Sequence, residues 1–287
     1  MIRSALLALD ATEASTMAQE KAIGFCQYVG SRSDGSGCAI HLTGVAVVDR
    51  PAIERREAAP IGGGAFKVDR DETRLRDAQE KVAQILDDFE ARCHKAGVPC
   101  SVIRSEGHPY EQIERAACQH DVILIGRHTN FHFETREQSD DTVMRLVRDH
   151  PRPIIITPER NLGGRGVVIA YDGSLQASRA LHMWILLHLL QEETKVHLIS
   201  VNRDEAEARR LCDEAAALLS HHDISATTHP IASGDKVVSV LNRHFADLAP
   251  RMIVMGAFGT GGLRARFFGS TTLAMIKDCP YPLFLYQ

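Results

Sequence analysis

Short apolar runs recur along the chain, among them "ALLAL" (5–9), "VILIG" (122–126), "VVIA" (167–170), "VHLISV" (196–201) and "MIVM" (252–255). Each is too short for a globular helix, and each is apolar at consecutive rather than alternate positions, which is the pattern of a strand covered on both faces. Between them lie stretches of helical period, "ATEASTMAQEKAIGFC" (11–26) and "SLQASRALHMWILLHLL" (174–190). Buried strands alternating with amphipathic helices predict an α/β fold, with parallel strands and helices on both faces of the sheet.

The pattern is written twice. "ALLALDAT" (5–12) matches "VVIAYDGS" (167–174), "DVILIG" (121–126) matches "RMIVMG" (251–256), and "DHPRPIIIT" (149–157) matches "DCPYPLFLY" (278–286), in the same order. A repeat of this size predicts two tandem domains. Pro, Asn and Gly cluster in "PERNLGGRG" (158–166), so the division falls at about Gly163, with domains over 1–160 and 164–287. The first copy is longer in its middle. Part of the excess is the polar turn "SRSDGSG" (31–37), and more is an insertion over 49–72, read as loop and followed by a long charged helix from Thr73 to Gly97. A loop of that length inside a compact domain is read as functional or disordered.

Composition narrows the function classes. A chain of 287 residues that is 44% hydrophobic can bury two cores. The net charge of -4 supplies no broad basic field, so nucleic acid is not an expected partner. Seven cysteines without C-x-x-C spacing fit neither a disulfide framework nor a zinc ribbon, and are expected as reduced thiols in the cytoplasm. Asp10 interrupts the first apolar run too early for a signal peptide, and no run approaches the length of a membrane span. Trp184 is expected in the core, and His221 and His222 at the end of a helix.

Five glycines crowd "GAFGTGGLRARFFGST" (256–271), between an apolar strand and a helix expected to be capped by Ser270 or Thr271. A strand, a glycine loop and a helix N-terminus together converge amide N–H groups on an anion, a device that binds phosphate. The stretch lacks both the G-K-[ST] of a Walker A loop and the glycine spacing of a Rossmann fingerprint. Its spacing, Gly256-x2-Gly259-x9-Gly269-Ser270, resembles the ATP-binding motif of universal stress proteins. The likeness extends to the strand-acid-turn openings, to the helix start at Gly234 and Asp235, and to the terminal "CPYPLFL".

The resemblance is to a tandem universal stress protein. It implies two open parallel five-stranded sheets with helices on both faces, ATP, with or without Mg²⁺, bound in the second copy, and an adenine nucleotide switch or scaffold in the cytoplasm. It carries Tyr171, Asp172 and Gly173 to the nucleoside pocket and Val201 to the position beside adenine. Met255 and Gly256 close the fourth strand, and Gly259, Gly269, Ser270, Thr271 and Thr272 match the phosphate-binding positions. It also implies an intrachain pseudo-dimer, with "PIIIT" and "PLFLY" as pairing edges, and a further homodimer.

The first copy departs from this motif. With Gly126 aligned to Gly256, Thr129 falls at Gly259, Ser139 at Gly269, Asp140 at Ser270 and Asp141 at Thr271. Carboxylates there repel polyphosphate, so one ATP site per chain is expected. His128, His132 and Glu134 invite a metal reading but lack an H-E-x-x-H frame, so no metal site is assigned. Arg264 and Arg266 read as phosphate contacts or as a solvated loop face. No paired nucleophile and base stands out, so no catalytic residue is assigned. Weak ATP hydrolysis and a nucleotide-free interaction module stay open beside the binding reading.

Overall fold

A computed structural model describes the chain except residues 31–38, 56–63, 133–134, 136–139, 161–163, 165, 191–193 and 259–267. By compactness the chain divides into two units, one of Arg3–Leu146 and one of Val147–Gln287 joined by Met1–Ile2.

In the first of these, the strands β1 (Ser4–Leu9), β2 (His41–Val48), β3 (Cys100–Glu106) and β4 (Val122–Gly126) run in the order β3-β2-β1-β4. All are parallel, with Leu6 beside both Thr43 and Ile123. Every residue of β4 is buried, and so are the last five of β1, which is why both read as unbroken apolar runs. The helix α1 (Glu13–Gly30) follows β1. The stretch read as an inserted loop is partly helical. Asp49 caps a short helix, α2 (Arg50–Ile53), by accepting from the Ala52 amide at 3.1 Å. The long helix α3 (Gly64–Ala96) begins nine residues before the expected Thr73 and buries Ala78, Val82, Leu86, Phe89 and Cys93 at helical spacing. Its early turns are polar, and they hold together through local pairs such as Lys67 with Asp71 at 2.5 Å; this is why apolar periodicity alone misses them. The helix α4 (Pro109–Ala117) lies between β3 and β4.

After α5 (Thr142–Asp149), the other unit runs through β5 (Ile154–Thr157), β6 (Gly166–Ala170), β7 (Val196–Asn202), β8 (Ala226–Ala232), β9 (Pro250–Gly256) and β10 (Leu283–Tyr286). Their order is β5-β10-β9-β6-β7-β8. β6 to β10 are parallel, whereas β5 pairs antiparallel with β10, Ile155 opposite Phe284. The last strand of the first repeat thus falls in the compact unit of the second, where it forms a ladder with β10.

From β6 the chain steps one way to β7 and β8, then crosses back to β9 and β10 on the other side. Right-handed crossovers in opposite directions place α6 (Leu175–Leu186) and α7 (Glu205–Ser220) on one face, and α8 (Val237–Leu248) and α9 (Phe268–Asp278) on the other. Trp184 of α6 is fully buried, and His221 forms the C-cap of α7. No helix among the described residues is long and apolar enough to cross a membrane.

Candidate functional site

Strand order reverses between β6 and β9, and open α/β sheets form a ligand crevice at the carboxyl ends of strands flanking such a point. Register puts Ala170, the last residue of β6, beside Met255 of β9. Tyr171 continues from β6, its amide donating to Ile199 of β7 at 2.9 Å. Burial raises the Tyr171 phenol's pKa, and the Glu214 and Asp172 carboxylates add to the rise. Asp172 is exposed, with one oxygen accepting from the Ser174 amide at 3.0 Å, and Ser174 caps α6 through the Ala177 amide at 3.1 Å. Between them Gly173 takes φ +75°, which lets the chain turn into the helix.

The end of β9 closes on the same helix start. A Cβ on Gly256 would lie 2.4 Å from the Ala177 nitrogen and 2.5 Å from the Gln176 carbonyl carbon, so only glycine lets strand and helix approach this closely. The Phe258 amide donates to the Thr272 hydroxyl at 3.4 Å, with Thr272 itself buried. Ser270 is exposed and Thr271 half-buried in the first turn of α9. That helix begins at Phe268, earlier than the expected cap at Ser270 or Thr271; the two residues are therefore helical, with Gly269 beside them. Val201, half-buried, is the next-to-last residue of β7.

Tyr171, Asp172, Gly173, Met255 and Gly256 thus gather at the carboxyl ends of two paired strands, with Thr272 joined to them through Phe258, while Val201 ends the strand on the far side of β6. Gly259, Arg264 and Arg266 lie outside the described residues. A groove of about 620 Å³ on α7 is lined by Glu205, Arg209, Arg210, Asp213 and Glu214. Its arginines and glutamates pair with one another, Arg210 with Glu207 at 2.7 Å, which makes it a solvated face.

The equivalent crevice in the other unit is filled by its own side chains. Asp10, at the position of Asp172, is buried: one oxygen accepts from the Thr12 amide at 2.9 Å and hydroxyl at 2.7 Å, the other from the Asn130 amide. Burial pushes its carboxyl pKa up, and the Asp140 charge adds to the rise, against the pull of the hydrogen bonds. The Asn130 side chain accepts from the His132 amide at 3.0 Å. Asp140 accepts from the Phe131 amide at 2.6 Å and the Thr142 amide at 2.9 Å. His132 stands with Nδ1 on the Asp49 carboxylate and Nε2 3.9 Å from Asp140.

Sequence reasoning assigned no role to Asp10, Asp49 or Asn130. The available signals were the alignment of Asp10 with Asp172 and the place of Asp49, directly after the second strand and two residues before Pro51, where a helix cap belongs. His132, weighed as a metal ligand, is a partner of carboxylates instead. Among the described residues no group of three or more His, Cys, Asp or Glu is arranged to hold a metal ion.

The second unit is a doubly wound α/β sheet whose strand order reverses between β6 and β9. Residues 165–287 match the Universal stress protein family. The chain is 21% identical over 223 residues to Universal stress protein Slr1230 of Synechocystis, covering 77% of each. It is similar in fold to a universal stress protein from Archaeoglobus fulgidus, with a TM-score of 0.68 at 21% identity over 99% of this chain and 98% of that one. A putative universal stress protein from Pseudomonas aeruginosa gives a TM-score of 0.57 at 16% identity over 99% and 93%. The family match thus lies in the second repeat, and the chain has a tandem two-domain architecture similar in fold to universal stress proteins along its length.

Proposed function

We propose that the C-terminal repeat binds ATP, with or without Mg²⁺, in the crevice between β6 and β9, and that occupancy makes the protein a nucleotide-responsive switch or scaffold in the cytoplasm. One site per chain follows from the same reading. The observation that carries it is the contrast between equivalent carboxylates: Asp172 is exposed beside the glycine-lined meeting of β9 and α6, whereas Asp10 is sealed under Asn130.

The electrostatics support the contrast. Two unit charges 4 Å apart interact by about 4 kcal/mol at an effective dielectric constant near 20. A triphosphate entering the first crevice would meet Asp10, Asp49 and Asp140, and Asp140 already takes amides that would otherwise face an anion. In the second crevice Ser270 and Thr271 offer hydroxyls at a helix N-terminus, where the helix dipole favours negative charge. The pairing of β5 with β10 occupies one edge of the terminal strand, so a further homodimer would use another surface.

Ligand at 100 times its dissociation constant stabilises a folded protein by about 2.7 kcal/mol. A thermal melt with saturating ATP and Mg²⁺ should rise accordingly, and Gly259→Val should remove the rise. Nucleotide carried through purification, measured by mass spectrometry, reports the native ligand. A melt that ATP leaves unmoved in the parent protein would refute the proposal.

A further inference from the structure

Three of the cysteines converge in the unit of Arg3–Leu146, away from both crevices. Cys93 lies in the last turn of α3 and is fully buried, and Cys100 is the first residue of β3 and half-buried. The turn between them is fixed. Gly97, at φ +67°, donates to His94 at 3.1 Å, and Val98 donates to Cys93 at 3.0 Å, the paired bonds that end a helix and send the chain back along it. The chain then enters β3, Cys100 registers beside Leu42 of β2, and the Cys93 and Cys100 side chains lie close enough to act on one another's charge. On the other side, Gln27 of α1 donates to the carbonyl of Ala96 at 2.8 Å, which anchors the end of α3 next to buried Cys26.

We propose that Cys93 and Cys100 are a thiol-oxidation site, closing to a disulfide when the protein meets a hydroperoxide. The sulfur of Cys100, the less buried residue of the two, attacks the O–O bond; one oxygen stays as a sulfenic S–OH and the other leaves as water. The Cys93 sulfur then attacks the Cys100 sulfur, the S–O bond breaks and a second water departs. Two thiols and one hydrogen peroxide thus give one disulfide and two waters, with the peroxide reduced. Burial pushes the Cys93 thiol up to about 12, as it does that of Cys26, so neither is a first attacker. Cys93 acts second, on the sulfur that the turn at Gly97 brings near it. Exposed Cys118 serves as an internal reference.

The test uses the unaltered full-length protein. After exposure to hydrogen peroxide, free thiols are alkylated under denaturing conditions and the chain is cut with trypsin. Cleavage after Arg92, Lys95 and Arg104 separates the two cysteines, so the disulfide appears as "CHK" joined to "AGVPCSVIR", two hydrogens lighter than the separate peptides and released by reductant. Cys93→Ser should leave Cys100 as a sulfenic acid trapped by dimedone, and Cys100→Ser should leave Cys93 fully alkylatable. Both peptides recovered alkylated while Cys118 is oxidised would overturn the proposal. A bridge from Cys93 to Cys26 in place of Cys100 would overturn it as well.

Discussion

Gly256 passes so close to Ala177 that a methyl group on it would lie 2.4 Å from that residue's amide nitrogen. The contact joins the end of β9 to the first turn of α6, backbone against backbone, and backbone cannot rotate aside as a side chain can. Gly126 occupies the equivalent position in the first repeat, where the nearest atoms to an added Cβ are 3.1 Å away. Gly256→Ala should therefore destabilise the protein by about 1–3 kcal/mol, as overpacking does. Gly126→Ala should cost less. Urea midpoints of the two variants check this, and equal or reversed losses would show that the approach at Gly256 relaxes freely.

Asp140 and Ser270 align when Gly126 is set against Gly256, and exchanging their chemistry tests what separates the two crevices. Ser270→Asp puts a carboxylate at the start of α9 and should abolish ATP binding. Asp140→Ser should not create a second site, because Asp10 and the Asp49–His132 pair still fill the crevice. It should instead destabilise the fold by about 1–3 kcal/mol, since the amides of Phe131 and Thr142 lose a charged acceptor. Titration calorimetry should give one ATP per chain in the parent and in Asp140→Ser, and none in Ser270→Asp. Two per chain in Asp140→Ser would mean that Asp140 alone excludes nucleotide.

His132 joins the loop after β4 to the first turn of the inserted segment through Asp49, whose side chain is 1% exposed. Removing the imidazole leaves the buried Asp49 carboxylate, among the described residues, with the Ala52 cap bond, and leaving a buried acceptor short of a hydrogen-bond partner costs about 1–3 kcal/mol. His132→Ala should lose stability on that scale. The double variant with Asp49→Asn should recover part of it, because an amide needs no counter-charge. Denaturation of the three proteins supplies the thermodynamic cycle, and additive losses would mean that the two residues do not interact.

How far the sequence could be read follows from what each signal depends on. The strands and their parallel order were legible because strands covered on both faces leave unbroken apolar runs, as in "VILIG" and "LFLY". The start of α3 was not, since its first two turns are stabilised by charged neighbours rather than by an apolar stripe. The close approach at Gly256 was legible as a glycine, because backbone packed on backbone leaves no room for a Cβ. The first crevice was read as repulsive from Asp140 and Asp141, but Asp49 and His132 lie 83 positions apart, and only the folded chain brings them together. The pairing of β5 with β10 was anticipated from their edges; that β5 leaves the compact unit of its own repeat was not, because strand composition does not encode which neighbour is taken.

On β7 and β8, His197 and His229 face each other with ring nitrogens 3.0 Å apart, and this pair makes stability depend on pH. Burial lowers both pKa values below the ordinary histidine value, and Lys195 beside the first and His197 and His244 beside the second lower them further. In the unfolded chain these imidazoles titrate near pH 6.5. As pH falls through that value the unfolded state takes up protons before the folded state does, so stability is present above it and is lost on acidification until the folded pKa values are passed. Urea midpoints measured between pH 7.5 and 5.5 should fall with pH, and the double variant His197→Gln, His229→Gln should fall less steeply. Other titrating groups are common to both proteins and cancel in the difference. Parallel curves for the two would show that the pair does not contribute to the acid sensitivity.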